Sequence, residues 1–460
     1  MTDVYQPELM YETKVNNHST TIYRTITPQA PGSVTTSVTS SVGSTDLIIP
    51  ASCFNFANSR LNFTLNVPGL AANSTYINAN LLTALSRVVI YDSATNAVWA
   101  DVSNFEKYAS LISSPGTQLD KFLTKSYSSG TPASAASAAL AITAAQLVTV
   151  EDISKCNVLG AAAVPNVTGS NQDTAAQNQL LARRQFYYST AATNIAIDVS
   201  IPFDAFKLTC MSLPQVIYNP ANTVVQLFWS ANDNYAFTAT AANPTTATAS
   251  LVTPITISNI NIALANEANL QIISGVIDKV MKQGLSLNVA YPTVTRQSIA
   301  SSAAHSYQLN LSRGYGQRIL SLISAPFSAA AGVNFRNVHD RGNLTTYNTF
   351  LNNVPIKANQ GFDCTKSTDY TLANKEYMIG SALQTLGEYS IGEWFHCDSF
   401  VGERPIWAWD QTMIDGLDTV SQSSTWSIQA NLSAATAYVW ITAIVAQKVL
   451  TLSSMGSSMA

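Results

Sequence analysis

Thr425-Trp-Ser-Ile-Gln-Ala-Asn-Leu-Ser433, followed after a hinge of small residues by Ala437-Tyr-Val-Trp-Ile-Thr-Ala-Ile-Val-Ala-Gln-Lys-Val-Leu-Thr-Leu452, is the stretch whose reading decides the fold. Trp426, Ile428, Ala430 and Leu432 alternate with Ser427, Gln429, Asn431 and Ser433, the period of two of a strand with one face in a core and one in water. The second half is β-branched and aromatic almost throughout, which predicts a long strand covered on both faces. A membrane span is the rival reading. It fails because the apolar run is about half of the ~20 residues a bilayer needs, and Gln447 and Lys448 interrupt it. Thr223-Val-Val-Gln-Leu-Phe-Trp229 repeats the pattern in shorter form, so two similar β units in tandem are expected.

With 460 residues, 47% of them hydrophobic, the chain can build roughly two or three domains with real cores. Only 11% of residues are charged, against roughly 25% in ordinary soluble domains, and Ser, Thr, Asn, Gln and Ala fill the difference. Such a surface is neutral and hydrogen-bonding, suited to packing against copies of itself. A net charge of −4 and a pI near 5.6 argue against a nucleic-acid binder, which would carry a basic patch or arm. Arg183-Arg184 is the exception, and a solvated turn is its plainer reading. Cys53, Cys156, Cys210, Cys364 and Cys397 are odd in number and form no close pairs, which points to buried free thiols in a reducing compartment rather than to disulfides or zinc. The N-terminus lacks the basic region and apolar core of a signal peptide, so Asn-x-Ser/Thr triplets such as those at Asn73 and Asn166 carry no weight.

Residues 1–20 read as an arm. Strands are expected at 20–27, 46–50, 61–67, 85–91 and 97–99. Ser103-Asn-Phe-Glu106 has capping-box spacing and predicts a short helix with Phe105, Tyr108, Leu111 and Ile112 on one face, ending before Pro115. A long excursion outside the core, about 128–179, follows. Alternation resumes at 195–201, Pro202 opens a helical segment over 203–211, and a strand at 223–230 completes a first unit spanning 21–231. Residues 232–254 read as a linker. The second unit, 255–460, opens with a strand at 255–264 whose alternation slips at Asn259, a bulge. Asn266-Glu267 then caps a helix with Leu270, Ile273, Ile277 and Val280 on one face and Gly284 as C-cap. Strands at 285–290, 304–311, 319–324 and within 343–356, the last with a turn at Asn352-Asn353, precede a second excursion over 361–417. An α/β fold would need helices between successive strands; their lack predicts two antiparallel sandwiches.

Candidate chemistry is sparse. None of His18, His305, His339 and His396 lies in a zinc-protease spacing. Glu393, His396, Cys397 and Asp398 offer four ligand types within six residues, but without a second ligand pair nearby a plain loop is the better reading. Gly314-Tyr315-Gly316 follows a strand and leads into another strand, so it reads as a hairpin turn rather than a phosphate cradle. No Gly-x-Ser-x-Gly elbow is present. Trp394, Trp407 and Trp409 could stack on sugars, although packing is the commoner use of such residues; Arg404, Trp407 and Asp410 fit a subunit contact. No catalytic, cofactor-binding or metal-binding residue is therefore assigned, and the chain is not expected to be an enzyme.

The order of these elements resembles that of the major capsid proteins of the double jelly-roll lineage, which runs from tectiviruses and adenoviruses through virophages and polinton-like viruses to large DNA viruses. The matching features are the strand, turn and helix over 85–111, the strand, helix and strand over 195–229, the strand and helix over 255–281, residues 307–323, and the closing strand pair over 426–452. The resemblance implies an all-β fold of two tandem eight-stranded antiparallel jelly-roll barrels with a few short helices. It also implies three chains in a pseudo-hexameric capsomer, and capsomers tiling an icosahedral virion made inside the host cell. The partners would be the chain itself as a homotrimer, neighbouring capsomers, penton and minor capsid proteins and, as in many relatives, an internal membrane. Without a cationic tail, no sequence-specific nucleic-acid binding is expected. The excursions would face outward or between subunits, and the arm would tie neighbours beneath the shell. A minor or vertex capsid protein is the close alternative. A carbohydrate-binding β-sandwich adhesin is the other, and it would more naturally carry a secretion signal.

Overall fold

The computed structural model describes residues 19–29, 32–37, 43–70, 74–78, 81–113, 186–189, 194–239, 248–250, 253–329, 344–355, 362–363, 401–403, 406–409, 412–415, 417–421 and 423–460. The first barrel contains β1 (Thr21–Ile26), β2 (Val34–Thr36), β3 (Ser44–Ile49), β4 (Cys53–Val67), β5 (Ser74–Asn78), β6 (Leu85–Asp92), β7 (Val98–Ser103), helix α1 (Phe105–Ser113), β8 (Phe186–Ser189), β9 (Ile195–Pro202), β10 (Val216–Tyr218), β11 (Thr223–Trp229), β12 (Ala236–Ala239), β13 (Thr248–Ser250) and β14 (Ile255–Glu267). Number β1, β3, β4, β6, β7, β9, β11 and β14 from one to eight. One sheet is then ordered 1-8-3-6 and the other 2-7-4-5. That is the paired Greek key of a jelly roll. The alternation in β4 turns Leu61, Phe63, Leu65 and Val67 into the core between the sheets, where they meet Trp229, Ile201 and Ile257.

Helix α2 (Leu270–Lys282) leads to β15 (Leu285–Leu311), β16 (Arg318–Ser328), β17 (Leu344–Leu351), β18 (Val354–Pro355), β19 (Phe362–Asp363), β20 (Val401–Glu403), β21 (Ile406–Trp409), β22 (Thr412–Asp415), β23 (Leu417–Asp418), β24 (Ser424–Ser453) and β25 (Gly456–Met459). β15 and β24 each serve as two jelly-roll strands. They pair with one another from Leu285↔Leu452 to Leu311↔Ser424, and the register breaks only between Ile299 and Ala304. Before the break, β15 lies with the second half of β24, β16 and β20 in the order 1-8-3-6. After it, β15 lies with the first half of β24, β17 and β18 in the order 2-7-4-5. The two barrels thus share one topology. As the sequence pattern predicts, Trp440 to Ala446 are buried without interruption, whereas the hinge residues Ser433 to Ala435 are exposed. Asn352 and Asn353 both adopt positive φ, 52° and 64°, the geometry of the tight β17–β18 hairpin.

At the bend of the second barrel sits His305, 2% exposed. Trp440 Nε1 donates to its Nδ1 at 3.0 Å, so the ring proton lies on Nε2, which faces the Thr436 carbonyl at 3.1 Å. Next to it, the Tyr307 hydroxyl joins Ser324 Oγ and Thr442 Oγ1 at 2.5 and 2.8 Å, tying three strands together inside the core. Both groups satisfy polar atoms where the ladder changes sheets.

Several sequence expectations are corrected. β14, expected to open the second unit, pairs with β1, β2 and β4 and is the eighth strand of the first barrel. The sheet boundary therefore follows Glu267 rather than residue 254. The expected linker 232–254 contributes β12 and β13 to a sheet with β5 and β8, and within it Asn232 and Tyr235 are fully buried against Thr36. The bulge at Asn259 is present, with φ 54° and a shift in register. The capping box does not form, because Ser103 stays paired opposite Arg87; α1 starts instead after Asn104, at φ 49°, whose carbonyl accepts from the Lys107 and Tyr108 amides. The cap of α2 is Asn269, whose side chain accepts from the Gln271 amide, because Glu267 is still in β14. Gly284 ends α2 at φ 75° as expected, but Leu270 is 77% exposed and only Val280 of that face is buried. The strands at 285–290 and 304–311 are parts of one strand, β15. Residues 313–318 form a turn but no hairpin, since β15 and β16 each pair with β24 and not with one another.

Replacing His305 with Ala removes the acceptor of the buried Trp440 N–H and leaves a cavity beside it, so it should lower unfolding stability by about 3 kcal/mol, read by denaturant titration; a change within about 0.5 kcal/mol would contradict the role given to the bend. A second expectation concerns alkaline pH. Burial pushes the Cys210 thiol and the Tyr307 phenol up to about 12, and burial followed by the Glu267 charge pushes Cys53 up to about 11. Groups with raised folded pKa values give stability that is whole below their ordinary pKa values, 9.0 and 10.0, and lost as pH rises toward the folded ones. Burial also raises Tyr291 to about 12 and raises Tyr235; it lowers Lys107 to about 8 and lowers Lys448, which act in the opposite sense but are two groups against five. The melting temperature should fall between pH 9 and 11, and less steeply in Cys210→Ala.

Candidate functional site

Among the described residues no three His, Cys, Asp or Glu side chains are grouped as metal ligands. Glu393, His396, Cys397 and Asp398 lie outside the described residues, as do Arg183, Arg184, Trp394, Arg404, Asp410, His18, His339, Cys156, Cys364 and Cys397. Trp407 and Trp409 fall on β21, paired with β22. Gly314 to Gly316 form a turn in which the Gly316 amide donates to the Arg313 carbonyl, with a strand and no helix after it. Cys53 and Cys210 are buried free thiols, held protonated by that burial and so poor nucleophiles. His305 is committed to Trp440 and Thr436.

An open groove of about 460 Å³ runs over the outer face of the first barrel, lined by Asn62, Thr64, Asp198, Asn259 and Asn261 among others. Its polar atoms answer one another. Thr64 Oγ1 donates to Asp198 at 2.8 Å, Asn62 Nδ2 to Asn261 at 2.9 Å, and Asn259 Nδ2 to Thr64 at 3.2 Å. Those bonds leave an amide-rich sheet face with one carboxylate, Asp198, whose partner is Thr64, rather than a set of groups converging on a ligand.

The most elaborate polar cluster of the described residues joins the two barrels. The β6–β7 turn places the Asp92 carboxylate, 0% exposed, where it accepts from the amides of Ala94 (2.7 Å) and Thr95 (3.3 Å) and from the amide and hydroxyl of Ser457 (2.9 and 2.8 Å). Burial alone would raise this carboxyl; the hydrogen bonds from Ala94, Ser457 and Thr95 outweigh it and hold the pKa below the usual value. Trp99 Nε1 donates to Ser457 Oγ at 2.7 Å, and Thr95 Oγ1 donates to the Ser457 carbonyl at 2.8 Å. Gly456 has φ 109°, and a Cβ there would stand 2.7 Å from Thr95 Cγ2; only glycine lets β25 approach so closely. Around this clasp, one apolar core runs from Trp99, Phe105 and Leu111 of the first barrel to Val289, Phe327, Ile441 and Leu450 of the second. Lys107 Nζ lies 5.3 Å from the Phe327 ring centre, and Lys448 Nζ lies 3.7 Å from that of Tyr291, so both ammonium groups rest on aromatic faces.

Sequence reasoning ended the strand at residue 91, just short of Asp92, and missed β25. Ser457 lies 365 positions away, a separation that no local pattern bridges, although Ser454-Met455-Gly456 carries a turn signal.

No family model matches the chain, and no curated protein matches it by sequence. Solved structures do match. The mavirus major capsid protein superposes with a TM-score of 0.53 at 11% identity, covering 100% of this chain and 96% of that one. PBCV-1 Vp54, fitted into a reconstruction of the virophage Sputnik, gives 0.53 at 9% identity over 100% and 99%. The Sputnik virophage structure gives 0.51 at 10% identity over 100% and 93%. Taken with two barrels of the same strand order in one chain, the likeness establishes that this protein has the double jelly-roll fold that the mavirus major capsid protein has.

Proposed function

We propose that the chain is the major capsid protein of an icosahedral virion, three copies of which form a pseudo-hexameric capsomer. The observation that carries this reading is the repetition of one jelly-roll topology along the whole chain. Three copies of a two-barrel subunit place six similar barrels around a three-fold axis, which is the geometry a near-hexagonal tile requires. The sparsely charged sequence supports it, since amide-rich faces such as that around Asn62 and Asn261, where Asp198 is the one carboxylate and is hydrogen-bonded by Thr64, can be covered by a neighbour with few charges to desolvate. Neighbouring capsomers, penton and minor capsid proteins are the partners this reading entails, and the chain acts in the shell rather than as an enzyme.

A tile also needs its two barrels held at a fixed relation. The Asp92–Ser457 clasp and the common core around Trp99 supply that rigidity, because a buried carboxylate with four donors has no equivalent alternative position.

Light scattering of the purified protein should give three times the 49.2 kDa chain mass, with three-fold, roughly hexagonal outlines in negative stain; a monodisperse monomer would count against the capsomer and turn attention to glycan binding. Asp92→Ala strands the Ser457 and Ala94 donors in the junction. It should cost about 3 kcal/mol of stability and speed proteolysis of the 453–460 segment, while leaving the His305 region protected from hydrogen exchange. Unchanged proteolysis would show that the clasp does not hold the terminus.

A further inference from the structure

Half of the exposed large apolar side chains among the described residues lie on two adjoining elements. Ile22 and Tyr23 of β1 are each 59% exposed, and Leu270 and Met281 of α2 are 77% and 46% exposed, out of eight such residues. Among the described residues β1 ends its sheet, with β14 as its ladder partner, and its outer edge has no described strand beside it. In α2 only Val280 is buried, and Ile272, Ile273, Val276 and Ile277 are half-buried. Ile22 and Tyr23, as successive strand residues, point to opposite faces of their sheet, whereas Leu270 and Met281 share one side of α2. The apolar arc of the helix is wider than the surface it covers among the described residues, and an exposed apolar face of this kind marks a contact.

The chain itself delivers an occupant to this place. Ser19 Oγ donates to the Glu267 carboxylate, the Thr20 amide donates to it at 2.8 Å, and the Ala268 amide donates to the Thr20 carbonyl at 2.7 Å. Glu267 stands two residues before Asn269, the cap of α2. Residues 1–18 therefore join the fold at the N-terminal end of α2, beside the β1 edge. That segment contains Val4, Tyr5, Leu9, Met10, Tyr11 and Val15, with Asp3, Glu8 and Glu12 against Lys14; the last turn of α2 carries Lys279 and Lys282, the latter paired with Asp278 of the same helix. The helix is about 20 Å long at 1.5 Å per residue, and the segment spans up to ~60 Å when extended. Length and apolar content suit it to lie along the helix.

We propose that residues 1–18 dock along α2 of their own subunit, covering the exposed apolar side that carries Leu270 and Met281. Tethering gives such a segment an effective concentration on the order of millimolar, which favours its own helix over that of a neighbour. This differs from an arm that ties neighbours together, and it does not depend on the capsid reading.

The test is photo-crosslinking from a benzophenone amino acid introduced at Leu270 in the full-length protein, using a mixture of unlabelled and nitrogen-15-labelled chains. The expected product joins position 270 to residues 1–18 within one isotopic species. Mixed-isotope products, adducts elsewhere, or no adduct would overturn the proposal. Removing residues 1–18 should in addition speed amide exchange over 270–282 about tenfold, the opening of a helix that has lost its cover; unchanged exchange would also overturn it. Neither readout requires trimers to form.

Discussion

The antiparallel ladder between β15 and β24 is the constraint on which the second barrel depends. Each strand crosses from one sheet to the other, and at the crossing the backbone must leave one set of partners and find another without stranding buried amides. The register break between Ile299 and Ala304 absorbs the change of direction on one strand. On the other, the small exposed residues Ser433 to Ala435 allow the bend. His305 then closes the corner from inside, bridging Thr436 and Trp440. The first barrel reaches the same strand order with separate strands, so it needs no equivalent of this corner.

Two barrels of one topology would be only neighbours without the junction. There the physics is of two kinds. An apolar seam from Trp99 to Leu450 supplies area, while the Asp92 carboxylate supplies direction, because its four donors come from two segments that must meet in one orientation. The carboxylate stays ionised despite burial because those hydrogen bonds favour its charged form more than burial penalises it. In the capsomer we propose, fixed geometry inside each subunit is what tiling would ask of its unit, and a sequence with few charges suits the approach of the units.

Much of this was legible in the chain. The alternation at Trp426, Ile428, Ala430 and Leu432, the doubly buried run at Trp440 to Ala446, the turn at Asn352-Asn353, the bulge at Asn259 and the glycine ending α2 all report local rules, and the structure obeys them. The errors have a common origin. Ser103 was given to a helix and β14 to the second barrel because capping and strand order were judged from sequence neighbours, whereas Ser103 answers to Arg87 in the ladder and β14 to β4, about two hundred residues earlier. The Asp92–Ser457 clasp left no local mark at all beyond a turn signal at each end.

The sequence by itself determined the all-β class, the period of the long strands such as β4, β9, β11 and β24, the tandem repetition and the sparsely charged composition, since these follow from the side chains that stand next to one another along the chain. Only the tertiary structure decided which strand closes which barrel, where one sheet passes into the other, and how the last residues lock onto a turn of the first barrel. Those outcomes depend on pairings between segments tens to hundreds of residues apart, whose energies come from shared burial and mutual hydrogen bonding and so exist only once the chain has folded.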